Sequence, residues 1–449
     1  MGDTSTPPCY RGLRENGEEM AQPAAKNAQA TKSAAEAGPP LAGVRVLAFT
    51  HVLAGPFCGR LLADLGADVV MIETSGRKDR IGATRADATY GGRRDRTLSG
   101  LNTNRGKRSA AIDLKTPAGR AAAVRLAVAA DALVENFSAD ALARLELDYA
   151  HLKPLNPRLI YVSMSGYGHD GPRRSWTSMN LNLQAYSGLM MATGREGDPP
   201  TTIANSWNDY IGGLHACFAV LDALAARVRT GQGCNLDLSQ FECGVATLGP
   251  LLLASAVNGE APPRQGNRSP QAAPQGVYRC ADRSTPPDGR GRAATDEWCA
   301  ISVQGDGQWG ALVRALGDPE WAHDALYRTL AGRQRHHDEI DAHLSAWTRA
   351  LAAREVERQL RAAGVPARRM RRIQEVVDEP DGASVFQPLE DPPGWQMTVT
   401  GLPFTFGGGA LAPRRPAPYL GEHTREVLAE WAGFTDAEIA DLEAQGVLT

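Results

Sequence analysis

The stretch VRVLAFTHVLAGPFCGRLLADLGADVVMIE, residues 44–73, decides the fold of this chain. Its first apolar run, Val44 to Phe49, predicts a buried strand, and the segment after the turn HVLAGP predicts a helix that ends near Gly66. The run DVVMIE, Asp68 to Glu73, predicts a second buried strand. Strand, helix and strand within about thirty residues form a βαβ unit, so the sequence predicts an α/β protein with a parallel sheet.

Strands and helices keep alternating through about residue 170, in the manner of an α/β fold. After the strand-like run RSAAIDL, Thr116 and Pro117 predict the N-cap and the first position of a helix. Asn208 to Arg229 carries apolar residues at helical spacing and predicts a long, mostly buried helix. The stretch from Gly259 to Asp296 is rich in proline, glycine and arginine and predicts a long connection instead of core. The strand-like and helical patterns beyond it predict a second, smaller domain.

The length of 449 residues predicts two or three domains, and a formal charge of -3 provides no basic field for nucleic acid. Seven cysteines without a CxxC pair, and no His/Cys cluster at zinc-ligand spacing, predict a reduced, cytoplasmic protein without a structural metal. No run of about 18 apolar residues is evident, so no membrane span is predicted. Residues 1–40, rich in Ala, Pro, Gln and Lys, predict a disordered N-terminal extension.

The sequence GYGHDG at 166–171 follows a predicted strand and matches the GxGxxG pattern of dinucleotide-binding proteins. That pattern requires a helix to open at once, so that the pyrophosphate binds at the helix N-terminus. Pro172 and two arginines follow here instead. The better interpretation is a loop whose glycines adopt positive φ.

Basic residues surround the predicted strand RSAAIDL. They are Arg77, Lys78, Arg80, Arg105, Lys107, Arg108 and Lys115. A run of charges is usually a solvated face. Arginine and lysine near loop amides and helix N-termini also hold pyrophosphate, so a phosphate-rich ligand is the alternative.

Candidates for catalysis are few, because the sequence contains no GxSxG elbow and no cysteine beside a suggestive histidine. His51 opens the glycine turn after the first strand, where ligands approach in α/β sheets. Asp170 lies in a turn-forming context, and Asp209 begins the long helix. Asn180 is interpreted from its context as the N-cap of the helix LNLQAYSGLMM.

Sequence blocks along nearly the whole ordered chain resemble family III CoA-transferases, which include formyl-CoA and carnitine CoA-transferases and methylacyl-CoA racemases. These blocks are LAGVRVLAFTHVLAGPFCGRLLADLGADVVMIE, NRGKRSAAIDLKTPAGR, ADALVENF, LNPRLIYVSMSGYGHDGP, QAYSGLM, GVYRCAD and RRPAPYLGEHTREVLAE. The resemblance implies a Rossmann-like large domain built from residues 41–228 and 375–449. It also implies that residues 229–374 form linkers and a smaller α+β domain, within a ring-shaped chain interlaced with a partner chain.

The resemblance further implies that the ligand is coenzyme A (CoA), in place of the solvated-face interpretation of the basic residues. By position, the CoA channel includes His51, Val52 and Ala54, the adenine and phosphate end includes Ile112, Lys115, Asn136, Phe137, Arg144 and Leu145, and Tyr167 lies beside the thioester arm. Two residues depart from the family pattern. Thr74 replaces a frequent arginine after the second strand, and Leu53 replaces a glutamine that some members place at the active site.

A third departure concerns the nucleophile. The resemblance implies an aspartate at the start of the segment that ends in SGLM, whose carboxylate attacks the acyl-CoA to form a mixed anhydride and then an enzyme-bound CoA thioester. This chain has Asn180 at that position. A neutral amide is a poor nucleophile and does not serve as a carboxylate leaving group, so the covalent route fails on this residue. Nor can it perform the acid/base chemistry of the racemases.

Three explanations account for a CoA-transferase framework without its nucleophile. The preferred hypothesis is a non-catalytic subunit of a heteromeric CoA-transferase, in which a homologous partner supplies the aspartate. Heteromeric members of this kind act on substituted succinates such as benzylsuccinate, with succinyl-CoA as donor, and that substrate is an analogy. The second explanation is an active homomeric enzyme with an engineered Asp-to-Asn change, and the third is an acyl-CoA-binding protein without turnover.

Overall fold

The structure is a computed structural model. It describes residues 38–74, 98–284, 294–378, 385–391, 395–406, 411 and 415–448. Residues 1–37 of the predicted disordered extension 1–40 lie outside the described residues, as do Arg77, Lys78 and Arg80.

A six-stranded sheet forms the centre of the large domain. Its strands are β1 (Arg45–Phe49), β2 (Asp68–Glu73), β3 (Arg108–Ala111), β4 (Ala132–Glu135), β5 (Ile160–Ser165) and β6 (Cys234–Ser239). The spatial order is β3-β2-β1-β4-β5-β6, and every neighbouring pair is parallel. The predicted parallel α/β sheet is confirmed. The strand order reverses between β1 and β4, and the crevice at such a switch point is where α/β proteins bind ligands.

Eight helices connect or follow these strands. They are α1 (Ala54–Asp64), α2 (Leu98–Asn104), α3 (Pro117–Val128), α4 (Tyr149–Leu152), α5 (Asn180–Tyr186), α6 (Trp207–Thr230), α7 (Gln240–Ala246) and α8 (Gly249–Asn258). The predicted N-cap of α3 is confirmed, because Thr116 Oγ1 accepts a hydrogen bond from the Gly119 N–H at 3.0 Å. After β6, α7 and α8 are separate helices that meet at 67°.

The small domain is built on a three-stranded antiparallel sheet. Its strands are β7 (Gln275–Arg279), β10 (Trp298–Ser302) and β11 (Ala367–Arg369), in the order β11-β10-β7, with a short pair formed by β8 (Arg283–Ser284) and β9 (Ala294–Thr295). Its helices are α9 (Asp306–Ala315), α10 (Leu330–Arg335), α11 (His337–Arg349), α12 (Ala353–Ala362) and α13 (Ile373–Asp378). The prediction of a connection without core from Gly259 to Asp296 is wrong for β7, whose Tyr278 is buried in the small-domain core.

The C-terminal segment returns to the large domain. It contains the hairpin β12 (Phe386–Asp391) and β13 (Trp395–Thr400), followed by α14 (Thr424–Ala432) and α15 (Asp436–Ala444). Val427 and Trp431 of α14 belong to the same buried core as Leu47 of β1 and Leu126 of α3. Both ends of the chain therefore build the large domain, and its sheet extends past residue 228 to include β6.

The long helix α6 is long and apolar enough to cross a membrane by length and composition alone, and α7 with α8 passes the same test as a bent pair. The sequence prediction concerned a run of about 18 apolar residues, and in α6 the apolar residues are interrupted by His215 and Asp222. Ala216, Cys217 and Val220 of α6 nevertheless lie in a core shared with β1, β5 and α1. This is the position of a core helix in a globular domain.

Candidate active site

The turn after β1 is joined to the turn after β4 across the switch point of the sheet. The His51 N–H donates to Asn136 Oδ1 at 2.8 Å, and Asn136 Nδ2 donates back to the His51 carbonyl at 2.9 Å. Gly55 permits this pair, because a Cβ atom at that position would lie 2.7 Å from Asn136 Cγ. Val52, between the pair and α1, has a φ of 63°. A β-branched residue in this region is strained, and such strain is concentrated at ligand sites.

Three residues that the resemblance assigns to the CoA channel and two that it assigns to the adenine and phosphate end lie together at this crevice. The His51 and Phe137 rings are 4.9 Å apart, and Ala54 begins α1 directly after the turn that contains Val52. The structure therefore brings His51, Val52, Ala54, Asn136 and Phe137 into one place. Their contact with CoA stays a prediction.

The residues assigned to the adenine and phosphate end follow the carboxyl ends of β3 and β4. Lys115 and Arg144 are exposed, and Leu145 is half-buried against the core that contains Leu47 and Leu126. Ile112 is only 1% exposed and its N–H donates to the Glu73 carbonyl, so its side chain is not accessible to a ligand. Any contact of Ile112 with a nucleotide has to use its carbonyl group.

Of the four described residues of the predicted basic cluster, three are buried and only Lys115 is exposed. Arg105 and Lys107 are 0% exposed; Arg105 forms a 2.6 Å ion pair with Asp64, and Lys107 Nζ donates to the Pro56 carbonyl at 2.8 Å. Arg108 is also buried and pairs with acidic residues of β2 and α14. Burial lowers the pKa of Lys107 to about 7. Both interpretations are wrong for these three residues, which are neither a solvated face nor accessible to a phosphate.

Asn180 is the first residue of α5, and the N-cap position belongs to Met179. Its side chain instead accepts the N–H of Asn208, in the first turn of α6, at 3.2 Å. The interpretation of Asn180 as the cap of its own helix is therefore wrong. Asn180 Oδ1 supplies the acceptor that the N-terminus of α6 requires, since Ser206 at the N-cap makes no side-chain hydrogen bond.

A buried amide holds Asn180 from the next turn of α5. Gln184 Nε2 donates to Asn180 Oδ1 at 3.1 Å and to the Ile203 carbonyl at 3.0 Å. Gln184 Oε1 accepts from Thr202 Oγ1 and from the Ile203 N–H. Within the described residues, Asn180 is an acceptor in both of its side-chain hydrogen bonds, and an aspartate could accept both. The spacing of four residues between Asn180 and Gln184 was the signal for this contact in the sequence.

Two carboxylates considered from the sequence have different surroundings. Asp170 is exposed, as expected for a turn residue. Asp209 directly follows Asn208 in the first turn of α6, and burial raises its pKa to about 6. Gly213, one turn further along α6, approaches the Ala54 carbonyl so closely that a Cβ atom would lie 2.8 Å away. The N-terminal part of α6 thus lies between the Asn180 segment and the start of α1.

Tyr167 belongs to an aromatic cluster beside α5. Its ring centroid lies 5.5 Å from Trp176, 5.9 Å from Tyr186 and 6.0 Å from Phe241 of α7. Arg173 lies 5.3 Å from the Tyr186 ring centroid. Tyr167 is half-buried and lies beside the segment that carries Asn180.

No group of three or more His, Cys, Asp or Glu residues in the described ranges is arranged to hold a metal ion. The six cysteines among these residues are free.

The chain is similar in sequence to known CoA-transferases along most of its length. The chain is 33% identical over 415 residues to the succinyl-CoA–D-citramalate CoA-transferase of Chloroflexus aurantiacus, covering 91% of this chain and 98% of that protein. It is 33% identical to the succinate–glutarate CoA-transferase of Agrobacterium fabrum, covering 87% and 96%. It is also 30% identical to the beta subunit of the succinyl-CoA–L-malate CoA-transferase of C. aurantiacus, covering 91% and 98%.

Solved structures show the same relationship. A CAIB/BAIF family protein from Brucella suis superposes with a TM-score of 0.77 at 30% identity, covering 88% of this chain and 99% of that one. The model of CoA-transferase family III matches residues 41–424. The chain is therefore a member of CoA-transferase family III.

Proposed function

We propose that this chain is a subunit of a cytoplasmic, heteromeric CoA-transferase, and that a homologous partner supplies the aspartate nucleophile. The observation that carries this proposal is Asn180. It lies where the family resemblance implies an aspartate. Its Oδ1 accepts hydrogen bonds from Gln184 Nε2 and from the Asn208 N–H. The framework around the nucleophile position is retained while the nucleophile is not.

The proposed reaction moves CoA from an acyl-CoA to a carboxylic acid. A carboxylate of the partner attacks the thioester carbonyl and releases the CoA thiolate, which then attacks the aspartyl carbon of the anhydride and releases the donor acid. The acceptor acid reverses these steps on the enzyme-bound thioester, so no water or oxidant is consumed. In this chain, the His51–Asn136 crevice and the exposed Lys115 and Arg144 would bind the CoA moiety.

The proposed donor is succinyl-CoA, because relatives with similar sequences along nearly their whole length are named for it. The acceptor is proposed to be a substituted succinate such as benzylsuccinate. A heteromeric assembly is supported by the relative that is named as a beta subunit.

An unpartnered apolar helix also supports assembly with a second chain. All of α8 lies in the described part of the chain, and none of its residues is buried. Leu253 and Val257 of α8 are 66% and 75% exposed, and Phe218 of α6 is 70% exposed. Apolar surface of this kind marks a protein interface, in agreement with an interlaced partner.

In the deciding experiment, homologous subunits that copurify with the chain from its native host are identified first. The chain is then expressed alone and together with them, and CoA transfer between succinyl-CoA and dicarboxylic acids is measured. The expected result is no transfer by the chain alone and transfer by the complex. Transfer by the isolated chain that survives Asn180→Ala would contradict the subunit proposal. Tight CoA binding without turnover in any pairing would favour the acyl-CoA-binding protein instead.

Replacing Lys115 or Arg144 with alanine is expected to weaken CoA binding by about 1 to 3 kcal/mol, the scale of a charge-assisted hydrogen bond to phosphate. Isothermal titration calorimetry with CoA and with dephospho-CoA measures the effect. Arg158 is an exposed arginine outside the proposed site, and Arg158→Ala is the matched control. Equal affinity in all three variants would mean that Lys115 and Arg144 are solvated surface residues.

Replacing both Leu253 and Val257 with aspartate is expected to weaken assembly at least about tenfold, because two apolar side chains would no longer be buried by a partner. Analytical ultracentrifugation of the purified complex measures this change. Ile373→Asp, at an apolar residue that is 83% exposed in α13, serves as the control for added charge. Unchanged assembly in the double variant would place the partner elsewhere.

A further inference from the structure

His169 lies between two carboxylates at the carboxyl edge of the large sheet. Its Nε2 is 3.1 Å from Glu135 Oε1 at the end of β4, and its Nδ1 is 3.2 Å from Asp237 Oδ1 of β6. The His169 backbone N–H also donates to both oxygens of Asp237, at 3.0 and 2.9 Å. This residue therefore joins the loop after β5 to the strands on either side of it.

The two anchors of this loop flank Tyr167. On one side, the Gly166 carbonyl accepts the N–H of Phe241 at 2.9 Å. On the other side, Gly168 has a φ of 85° and turns the chain so that His169 reaches Asp237. Tyr167 is thus presented by a short segment that is fixed at both ends, and its aromatic contacts depend on that fixation.

Glu135 extends the connection to the CoA crevice. While one of its oxygens faces His169, Oε2 accepts the N–H of Phe137 at 2.8 Å. The Phe137 ring lies 4.9 Å from the His51 ring, tilted by 52°. Phe137 follows Asn136, which is hydrogen-bonded to the turn after β1. One buried carboxylate consequently links the Tyr167 loop with the Asn136–Phe137 turn.

We propose that His169 is a positioning residue for CoA, which as an imidazolium ties the Tyr167 loop to the Asn136–Phe137 turn. An imidazolium donates from both ring nitrogens, and so satisfies Glu135 and Asp237 together. A neutral imidazole donates from one nitrogen only and turns a lone pair towards the other carboxylate. This inference rests on the proposed function only in naming CoA as the ligand.

The electrostatic setting favours the imidazolium form of His169. Burial acts to lower the pKa of His169, but the hydrogen bond and charge of Glu135 and the charge of Asp237 outweigh it, so the pKa is raised above its usual value. The adjacent cavity of about 280 Å³ adds further titratable groups. These are Asp140, Asp148, Tyr149 and Tyr161. Arg174 forms an ion pair with Asp140, and His151 contacts Asp148.

The sign of the pH effect follows from the raised pKa. The clamp is the pair of contacts that the His169 imidazolium makes with Glu135 and Asp237. It stabilises the folded loop fully below the usual pKa of histidine, and this stabilisation is lost as the pH rises through the higher pKa of the folded state. CoA affinity is therefore expected to fall at alkaline pH by about 3- to 10-fold, the scale of one ordinary hydrogen bond.

The test compares the unchanged chain with His169→Gln in the same assembly state. CoA affinity is measured by calorimetry between about pH 6 and about pH 9. The unchanged protein is expected to lose affinity at the alkaline end, whereas His169→Gln is expected to bind more weakly at neutral pH and to lack that alkaline loss. The ionisation of CoA itself is common to both proteins and cancels in the comparison.

Hydrogen exchange of the 166–171 amides supplies a readout without ligand. Exchange rates are corrected for the intrinsic pH dependence of amide exchange. In the unchanged protein, exchange of these amides is expected to become faster at alkaline pH. In His169→Gln, it is expected to be fast at every pH. Identical pH dependence of both measurements in the two proteins would overturn the inference. Absence of CoA binding at every pH, with the exchange difference present, would overturn the proposed function and leave the clamp standing.

Discussion

Asn180→Asp is expected to turn a chain that forms no covalent adduct with succinyl-CoA into one that does. The new carboxylate would inherit the two donors that now reach Asn180 Oδ1, the Asn208 N–H and Gln184 Nε2. Because it would lie at the N-terminus of α6, it would also be ionised readily. Intact-protein mass spectrometry after incubation with succinyl-CoA, with cleavage by hydroxylamine, detects the CoA thioester.

Two controls separate this outcome from other sources of an adduct. Asn180→Ala provides neither the hydrogen-bond acceptor nor a carboxylate, and is expected to form no adduct. Asp209→Asn in the unchanged background removes the neighbouring carboxylate, whose pKa is raised to about 6 by burial. An adduct on the unchanged chain would contradict the proposal that its chemistry depends on a partner, and loss of that adduct in Asp209→Asn would assign the reaction to Asp209.

Gly55→Ala is expected to have the largest effect on CoA binding among single-methyl changes in the crevice. The added Cβ atom would lie 2.7 Å from both Asn136 Cγ and Thr50 Cγ2, so the Asn136 side chain has to move and the reciprocal hydrogen bonds with His51 are lost. Overpacking of this kind costs about 1 to 3 kcal/mol. We expect at least about a tenfold loss of CoA affinity by calorimetry, with a lower melting temperature.

Gly310→Ala is the matched control, because it also places one methyl group on a helical glycine. The nearest atom to its new Cβ is Arg314 Nη1 at 3.6 Å, an ordinary contact, so stability is expected to stay the same or rise slightly. If both variants bind CoA as tightly as the unchanged chain, the crevice between β1 and β4 is not the CoA site.

Local patterns in the sequence were sufficient for the large sheet. The apolar runs of β1 and β2 and the cap of α3 are short-range signals, and they predicted these elements to within one residue. The glycine turn was less exact, because α1 begins at Ala54, three residues before the predicted start of the helix. β7 was missed because its neighbourhood is rich in proline and glycine, and its partner β10 lies 18 residues or more away along the chain. Pairing at that separation leaves no periodic signal in the strand itself.

The basic residues show why the site was harder to predict than the fold. Arg105 and Lys107 are charged residues in a polar run, which describes a surface segment equally well. Their burial depends on Asp64 and on the Pro56 carbonyl, acceptors that only the folded chain brings near them. Asn180 is similar, since its bond to Asn208 spans 28 residues and its partner is a backbone group with no sequence signature.

The exposed helix α8 has a consequence for how the stability of this chain is measured. A helix of ten residues that buries none of its own side chains gains little from the rest of its chain, and short helices are marginal in water. Its apolar side chains leave water only when a second chain covers them. The folding of α8 and the association of subunits are therefore thermodynamically coupled. Thermal unfolding should then follow mass action, with a melting temperature that rises with protein concentration.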